Sequence, residues 1–253
     1  MVLASAVLIQ ACFGALYAWS IFAQELKANY GFSMASSQLI FSVFQVAFTL
    51  TFVLIGGKLN DKYGPWKMTM LGGSVFGSGY FLAGFFPASL LSMCIFMGAA
   101  AGTGLGLAYV SPMIACQRTF PKQVNLVTGI AVAGFGAGAV AVSAAAEHLL
   151  GAGMPLARIF MLFGAVFTAA IICLSFSYKN IPQSMHAAEN IISVKTLVFM
   201  KLFWALFIPM FCGIFAGMMV ITNLKPLGLN WGFTAGIAAA GVSIMSLFNG
   251  AGR

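Results

Sequence analysis

The chain alternates between long apolar stretches and short polar turns. The apolar stretches cover about residues 2–24, 35–57, 68–87, 89–116, 126–148, 155–178, 200–223 and 234–253. Each is close to the roughly 20 apolar residues that carry a helix across a bilayer. Period-two alternation, the mark of a membrane strand, is missing, so the stretches read as helices. A helix satisfies its own backbone N–H and C=O groups, which lipid cannot do. The pattern predicts an all-α membrane protein whose eighth span lacks room to finish. The first span starts directly at Met1-Val2-Leu3, with no positive n-region and no clear cleavage site. It is expected to be a genuine span following a missing cytoplasmic leader, not a signal peptide.

Composition agrees with the pattern. Hydrophobic residues make up 61% of the chain and charged residues 6%. An average soluble domain is about 25% charged, so this chain has too little charge to cover a water-facing surface. The net charge of +8 is then a statement about topology. Eight basic residues (Lys58, Lys62, Lys67, Arg118, Lys122, Lys179, Lys195 and Lys201) fall in loops on one side of the predicted membrane. Three (Lys27, Arg158 and Lys225) fall on the other. The bias places the N-terminus and the richer loops in the cytoplasm, in a bacterial-type plasma (inner) membrane. Basic charge spread over separate loops does not form a nucleic-acid patch.

A longer polar connection, Lys179 to Val198, follows the sixth span. It predicts a six-helix bundle over 1–178, a cytoplasmic linker over 179–199, and the start of a second bundle over 200–253. Residues around 187–201 are expected to lie on the membrane surface as an amphipathic helix. Small-residue pairs four apart (Gly73/Gly77, Gly98/Gly102, Gly102/Gly106, Gly134/Gly138) predict close helix contacts. The five cysteines fall in or beside apolar helices without metal-ligand spacing, and read as small buried hydrophobes. Glu147-His148 reads as a hydrated end of the fifth span. No carboxylate pair, metal cluster or nucleophilic triad is found, so neither an enzyme nor a cofactor is expected.

The most specific polar turn reads Gly57-Lys58-Leu59-Asn60-Asp61-Lys62-Tyr63-Gly64-Pro65-Trp66-Lys67. Gly57 and Gly64 permit tight backbone turns. Asp61 sits where a carboxylate can meet a helix N-terminus and pair with a nearby base. Lys62 and Lys67 face the anionic leaflet. The pattern G-x-L-x-D-K-x-G-P-x-K between spans 2 and 3 resembles the signature loop of the major facilitator superfamily of secondary transporters. That resemblance implies two six-helix bundles with substrate held between them at mid-membrane. It also implies that Asp61 belongs to a latch between the two halves, with Arg118 as its expected partner.

Further stretches narrow the resemblance. They are Gly14-Ala15-Leu16-Tyr17-Ala18-Trp19-Ser20, Tyr109-Val110-Ser111-Pro112, Arg118-Thr119-Phe120-Pro121, Thr128 to Gly138, Phe203-Trp204, and Ser246 to Arg253. Together they resemble the oxalate/formate antiporter family, relatives of the monocarboxylate carriers. Three positions depart from that family: Thr119 replaces its Trp, Val124-Asn125 replace its basic-Gly pair, and Leu16 stands where oxalate transporters have glutamine. The resemblance implies a C-terminally truncated carrier of small organic carboxylates (formate, oxalate, lactate or pyruvate type), working by alternating access through exchange or uniport. A sugar or drug transporter of the same fold, or a non-transporting sensor on that scaffold, stays open as an alternative.

Arg253 is the sharpest site candidate. It follows a stretch without charge from Gly228 to Gly252, and a charge inside a span must face a cavity or a partner. The family resemblance makes it the arginine that binds a substrate carboxylate, for which a planar guanidinium is suited. Tyr17 and Tyr109 match family positions lining the same cavity. A phenol suits a membrane core and can donate to a carboxylate oxygen. Gln45 and Asn249 are further mid-span polar groups. Asn249 lies four residues before Arg253, on the same helix face, where proton-coupled relatives often carry Asp. Asn does not titrate, which favours exchange or uniport over proton symport. The expected partners are a small organic anion and the lipid bilayer, with no nucleic acid and a monomer as the working state.

Overall fold

The chain is seen as a computed structural model that describes residues 1–181 and 194–251. Eight long helices are found among the described residues. They are α1 (Val2–Tyr30), α2 (34–63), α3 (65–83), α4 (Leu90–Thr119), α5 (Val124–Gly151), α6 (Leu156–Tyr178), α7 (Lys201–Asn230) and α8 (Ala235–Ala251). α2 and α3 form one continuous run, Met34–Ala83, broken at Gly64. Helices α1 to α6 make a six-helix bundle, and α7 and α8 are the first two helices of a second one.

Local chemistry sets the ends. α1 stops at Gly31, which adopts φ 71° and returns its N–H to the Leu26 carbonyl. A left-handed residue there is cheap only for glycine. The Ser33 hydroxyl then accepts from the Ser36 N–H at 3.0 Å and starts α2. Ser89 does the same for α4 through the Ser92 N–H at 3.3 Å.

The polar turn at 57–67 differs from expectation. Residues 57–63 continue α2 as helix, and only Gly64, at φ 81° and ψ 163°, breaks the path before Pro65 starts α3. Charged side chains do not end a helix that has reached the membrane surface, because its backbone bonds stay internal. Gly57 is helical at φ −62° and ψ −51°, with open space where a Cβ would sit. No turn requires a glycine at position 57. α7 likewise runs past its expected end at 223, through Pro226 to Asn230.

Packing follows the small residues. A Cβ on Gly138 would meet the Ala11 carbonyl oxygen at 2.0 Å, and one on Gly134 would meet that of Val7 at 2.5 Å. α1 and α5 therefore touch backbone to backbone. Gly102 and Gly106 bring α4 onto the α2 backbone in the same way, Gly98 makes room there for the Val43 side chain, and Gly73 and Gly77 seat Ile171 and Thr168 of α6 against α3. Lipid tails are as apolar as leucine, so such close contact is what holds membrane helices together. Aromatic pairs fill the centre of the bundle: Phe13–Phe76 at 5.2 Å, Phe22–Phe160 at 5.1 Å and Tyr80–Phe167 at 5.6 Å, all edge to face. Of the five cysteines, Cys116 is buried, but Cys173 and Cys212 are exposed on outward helix faces rather than buried.

α8 lies along α5, and α7 packs on α8 and on the second half of α1. Most of α7 exposes apolar side chains, including Leu206, Met210, Phe211 and Phe215. A short helix, Val194–Phe199, precedes it and exposes Leu197, Val198 and Phe199. The rest of the expected surface helix, and most of the expected linker, lie outside the described residues.

Candidate functional site

Two interruptions in otherwise regular helices shape the middle of the bundle. In α1, residues Gly14–Ala18 wind more tightly, as a 3-10 turn. Gly14 makes this possible beside α5, since a Cβ there would meet the Phe135 carbonyl oxygen at 2.2 Å. Tyr17 lies in that turn and is 3% exposed. In α4, the helix breaks at Tyr109-Val110, just before Pro112. The Tyr109 carbonyl is bonded instead by the Gln10 side-chain amide of α1 at 3.1 Å.

The two tyrosines meet on one ring. Tyr17 and Tyr109 both pack edge to face against Phe135 of α5, at 5.2 and 5.8 Å between centroids. Phe48 and Phe52 of α2 close the other side of Tyr109 at 5.7 and 5.9 Å. Four helices thus converge on a cluster with an apolar wall and phenol hydroxyls, and α8 runs beside it along α5 and against residues 14–18. Gln10 is fully buried, and its Oε1 has no partner among the described residues. Its single polar position in an apolar stretch gave no hint of this role.

Gln45 is placed elsewhere. It lines a cleft of about 510 Å³ between α2 and α7, with Gln38, Ser42, Thr222 and Asn223. Its Oε1 is buried without a partner among the described residues. Neither tyrosine lines this cleft. Arg253 lies outside the described residues, and so does the side chain of Asn249.

Each end of the bundle carries a polar clasp. At the Lys-rich end, Arg118 of α4 stands 3.8 Å from Asp61, whose side chain is 68% exposed. An ion pair so open to water contributes about 0–1 kcal/mol, weak enough to be remade elsewhere. Beneath it, Asn60 is fully buried. It accepts from the Ser111 hydroxyl at 3.0 Å and donates to the carbonyls of Gly56 and Leu107 at 3.3 and 3.4 Å. Lys62 reaches over the Tyr63 ring at 5.2 Å, and Lys179 over Trp66 at 5.7 Å.

At the opposite end, Lys225 of α7 donates to Glu147 of α5. Glu147 is therefore not simply a hydrated helix end. Gln38 of α2 donates to the Thr222 carbonyl and to Asn223 Oδ1, both at 3.2 Å. Pro226 has no N–H to give the carbonyl four residues back, and Gln38 supplies the missing donor. Among the described residues, no group of three or more His, Cys, Asp or Glu side chains can hold a metal ion.

Comparison with known sequences adds the family. The sequence model described as Major Facilitator Superfamily matches residues 3–253. The chain is similar to the oxalate:formate antiporter of Oxalobacter formigenes, at 29% identity over 254 residues, covering 95% of this chain and 58% of that protein. It is similar to the uncharacterized MFS-type transporter YhjX of Escherichia coli (strain K12), at 22% identity over 259 residues, covering 100% of this chain and 64% of that protein. Apicoplast pyruvate carrier 1 of Toxoplasma gondii is 29% identical over 138 residues, covering 53% of this chain and 21% of that protein. The chain spans about three-fifths of the length of the first two relatives.

Proposed function

Because this chain belongs to the Major Facilitator Superfamily, we propose that it serves as a secondary transporter of small organic carboxylates, working by alternating access. The observation that carries the reading is the cluster of Tyr17, Tyr109 and Phe135 where α1, α4 and α5 meet, with α8 running beside it. Its similarity to an oxalate:formate antiporter and to a pyruvate carrier supports a carboxylate as the cargo. In this reading residues 1–178 are the first bundle, 179–199 the linker, and 200–253 the opening of the second bundle. The Lys-rich loops face the cytoplasm of a bacterial-type plasma membrane, and Lys225 and Glu147 face outward.

The chemistry is binding, with no covalent step. The two phenols donate to the substrate carboxylate, and Arg253 supplies the balancing charge with a planar pair of donors. Asn249, four residues before Arg253, does not titrate, which favours exchange or uniport over proton symport. The bundles rock about the bound anion; its binding shifts the balance between the two states, and the anion gradients drive the flux. Asp61, with Lys62, Gly64 and Arg118, forms the first bundle's side of the cytoplasmic latch; the Asp61–Arg118 pair itself lies within that bundle, between α2 and α4.

Arg253→Ala in the full-length protein tests the site. Carboxylate uptake is lost while membrane abundance stays normal. Unchanged uptake sinks the assignment. A sugar or drug carrier of the same fold shows uptake that Arg253→Ala leaves intact and that carboxylates do not compete. A sensor binds its ligand without any flux.

A further inference from the structure

We propose that Lys225 is a carboxylate-docking residue at the outer mouth, where Glu147 stands in for the substrate while that mouth is shut. The inference rests on the carboxylate-transport reading above and adds an entry point to it.

The asymmetry of the pair carries the argument. The Lys225 side chain is 5% exposed and that of Glu147 is 27% exposed. The two belong to different bundles, α7 and α5. When the bundles part at this end, Glu147 is already wet and can be solvated in place. Lys225 leaves on the other helix without its counter-charge, as a cation freed at the opened mouth to take another anion. Its ammonium carries three donors and no acceptor, so the group that settles it is an anion with oxygen acceptors. A small carboxylate is chemically what Glu147 presented.

Neighbouring contacts give this exchange a direction. Gln38 bridges to Thr222 and Asn223, one turn of α7 before Lys225. The three bridge residues line the α2–α7 cleft of about 510 Å³, together with Ser42 and Gln45. Gln38, Ser42 and Gln45 lie four and three residues apart, a polar line on one helix face. Parting α7 from α2 and α5 therefore breaks the bridge, exposes Lys225 and opens the polar line together. A neutral solute cannot replace Glu147 on Lys225, so the pair selects for anions at the first step. Binding to the open form, where Glu147 no longer competes, pulls the equilibrium toward that form.

The test uses the full chain, reconstituted in one orientation. Exchange is measured with formate, oxalate, lactate and pyruvate, taking forward the anion that the unaltered protein exchanges fastest. The Michaelis constant is read for anion added at the outer face. Glu147→Gln removes the resident competitor, and the outer Michaelis constant falls at least threefold. Lys225→Gln removes the docking charge, and the constant rises at least tenfold. Lys225→Arg stays within about threefold of the unaltered protein. The exchanged pair, Glu147→Lys with Lys225→Glu, does not restore entry. A simple structural bridge gives another result: both single variants weaken transport alike and the exchanged pair rescues it. That result overturns the proposal while leaving carboxylate transport standing. If the unaltered protein exchanges none of the four anions, the transport reading fails and this inference falls with it.

Discussion

Replacing Asn60 by alanine probes the part of the signature turn that the structure shows to be buried. Asn60 makes one short interhelical bond, from the Ser111 hydroxyl at 3.0 Å, and two longer ones to Gly56 and Leu107 at 3.3 and 3.4 Å. The Gly56 carbonyl lies four residues back on the same helix and loses little. The Ser111 hydroxyl can turn to the carbonyl four residues behind it, which recovers part of its loss. What remains is the α2–α4 link and the packing of a fully buried side chain. Interhelical side-chain bonds in membranes average about 0.6 kcal/mol and reach about 1.7. A buried group left without a partner costs about 1–3 kcal/mol. Asn60→Ala is therefore expected to destabilise by about 1.5–3 kcal/mol, and Ser111→Ala by about 1 kcal/mol. The double variant should cost less than the two single costs added together, by about 0.6–1.7 kcal/mol. Unfolding of purified protein in bicelles, followed for all four members of the cycle, reads this coupling. Coupling within the additivity error of about 0.3 kcal/mol refutes the assigned bond and its role in seating the turn.

Three further outcomes follow from the backbone. Gly138→Leu is expected to prevent stable folding, since even a Cβ would meet the Ala11 carbonyl oxygen at 2.0 Å, whereas Gly57→Ala, at a helical position with open space, leaves the melting temperature equal or slightly higher. Fluorescence-detected size exclusion after heating separates the two. Gly64→Ala is expected to cost about 1–3 kcal/mol, because its backbone conformation is essentially restricted to glycine; a melting temperature equal to the parent's contradicts the observed break. Asp61→Asn should slow exchange turnover while leaving equilibrium substrate binding near normal, and unaltered turnover counts against the latch.

Much of the fold was legible because lipid imposes one length and one hydrogen-bonding solution on each span. The G-x-x-x-G pairs were legible too, since spacing alone puts Gly134 and Gly138 on one face. Helix ends were harder to read. Lys58, Asp61 and Lys62 look like a loop in the sequence, yet a helix can carry such residues once it reaches the headgroups. The apolar stretch was expected to end at 223, and the donor from Gln38 on another helix explains how α7 continues past Pro226. The candidate site was legible in part. Tyr17 and Tyr109 stood out as family positions, and the structure brings both to Phe135. Gln10, Asn60 and the Glu147–Lys225 pair were not seen as site elements, because each depends on a partner from a distant helix. Seventy-eight residues separate Glu147 from Lys225, and no local pattern links two ends of helices that far apart.

Counterflow by the full-length protein in proteoliposomes tests the central claim most directly. Vesicles are loaded with unlabelled formate, oxalate, lactate or pyruvate and given the labelled anion outside. The account predicts saturable accumulation of label with at least one of these anions, and none with a neutral sugar. Label no higher than in protein-free vesicles for all four anions contradicts it.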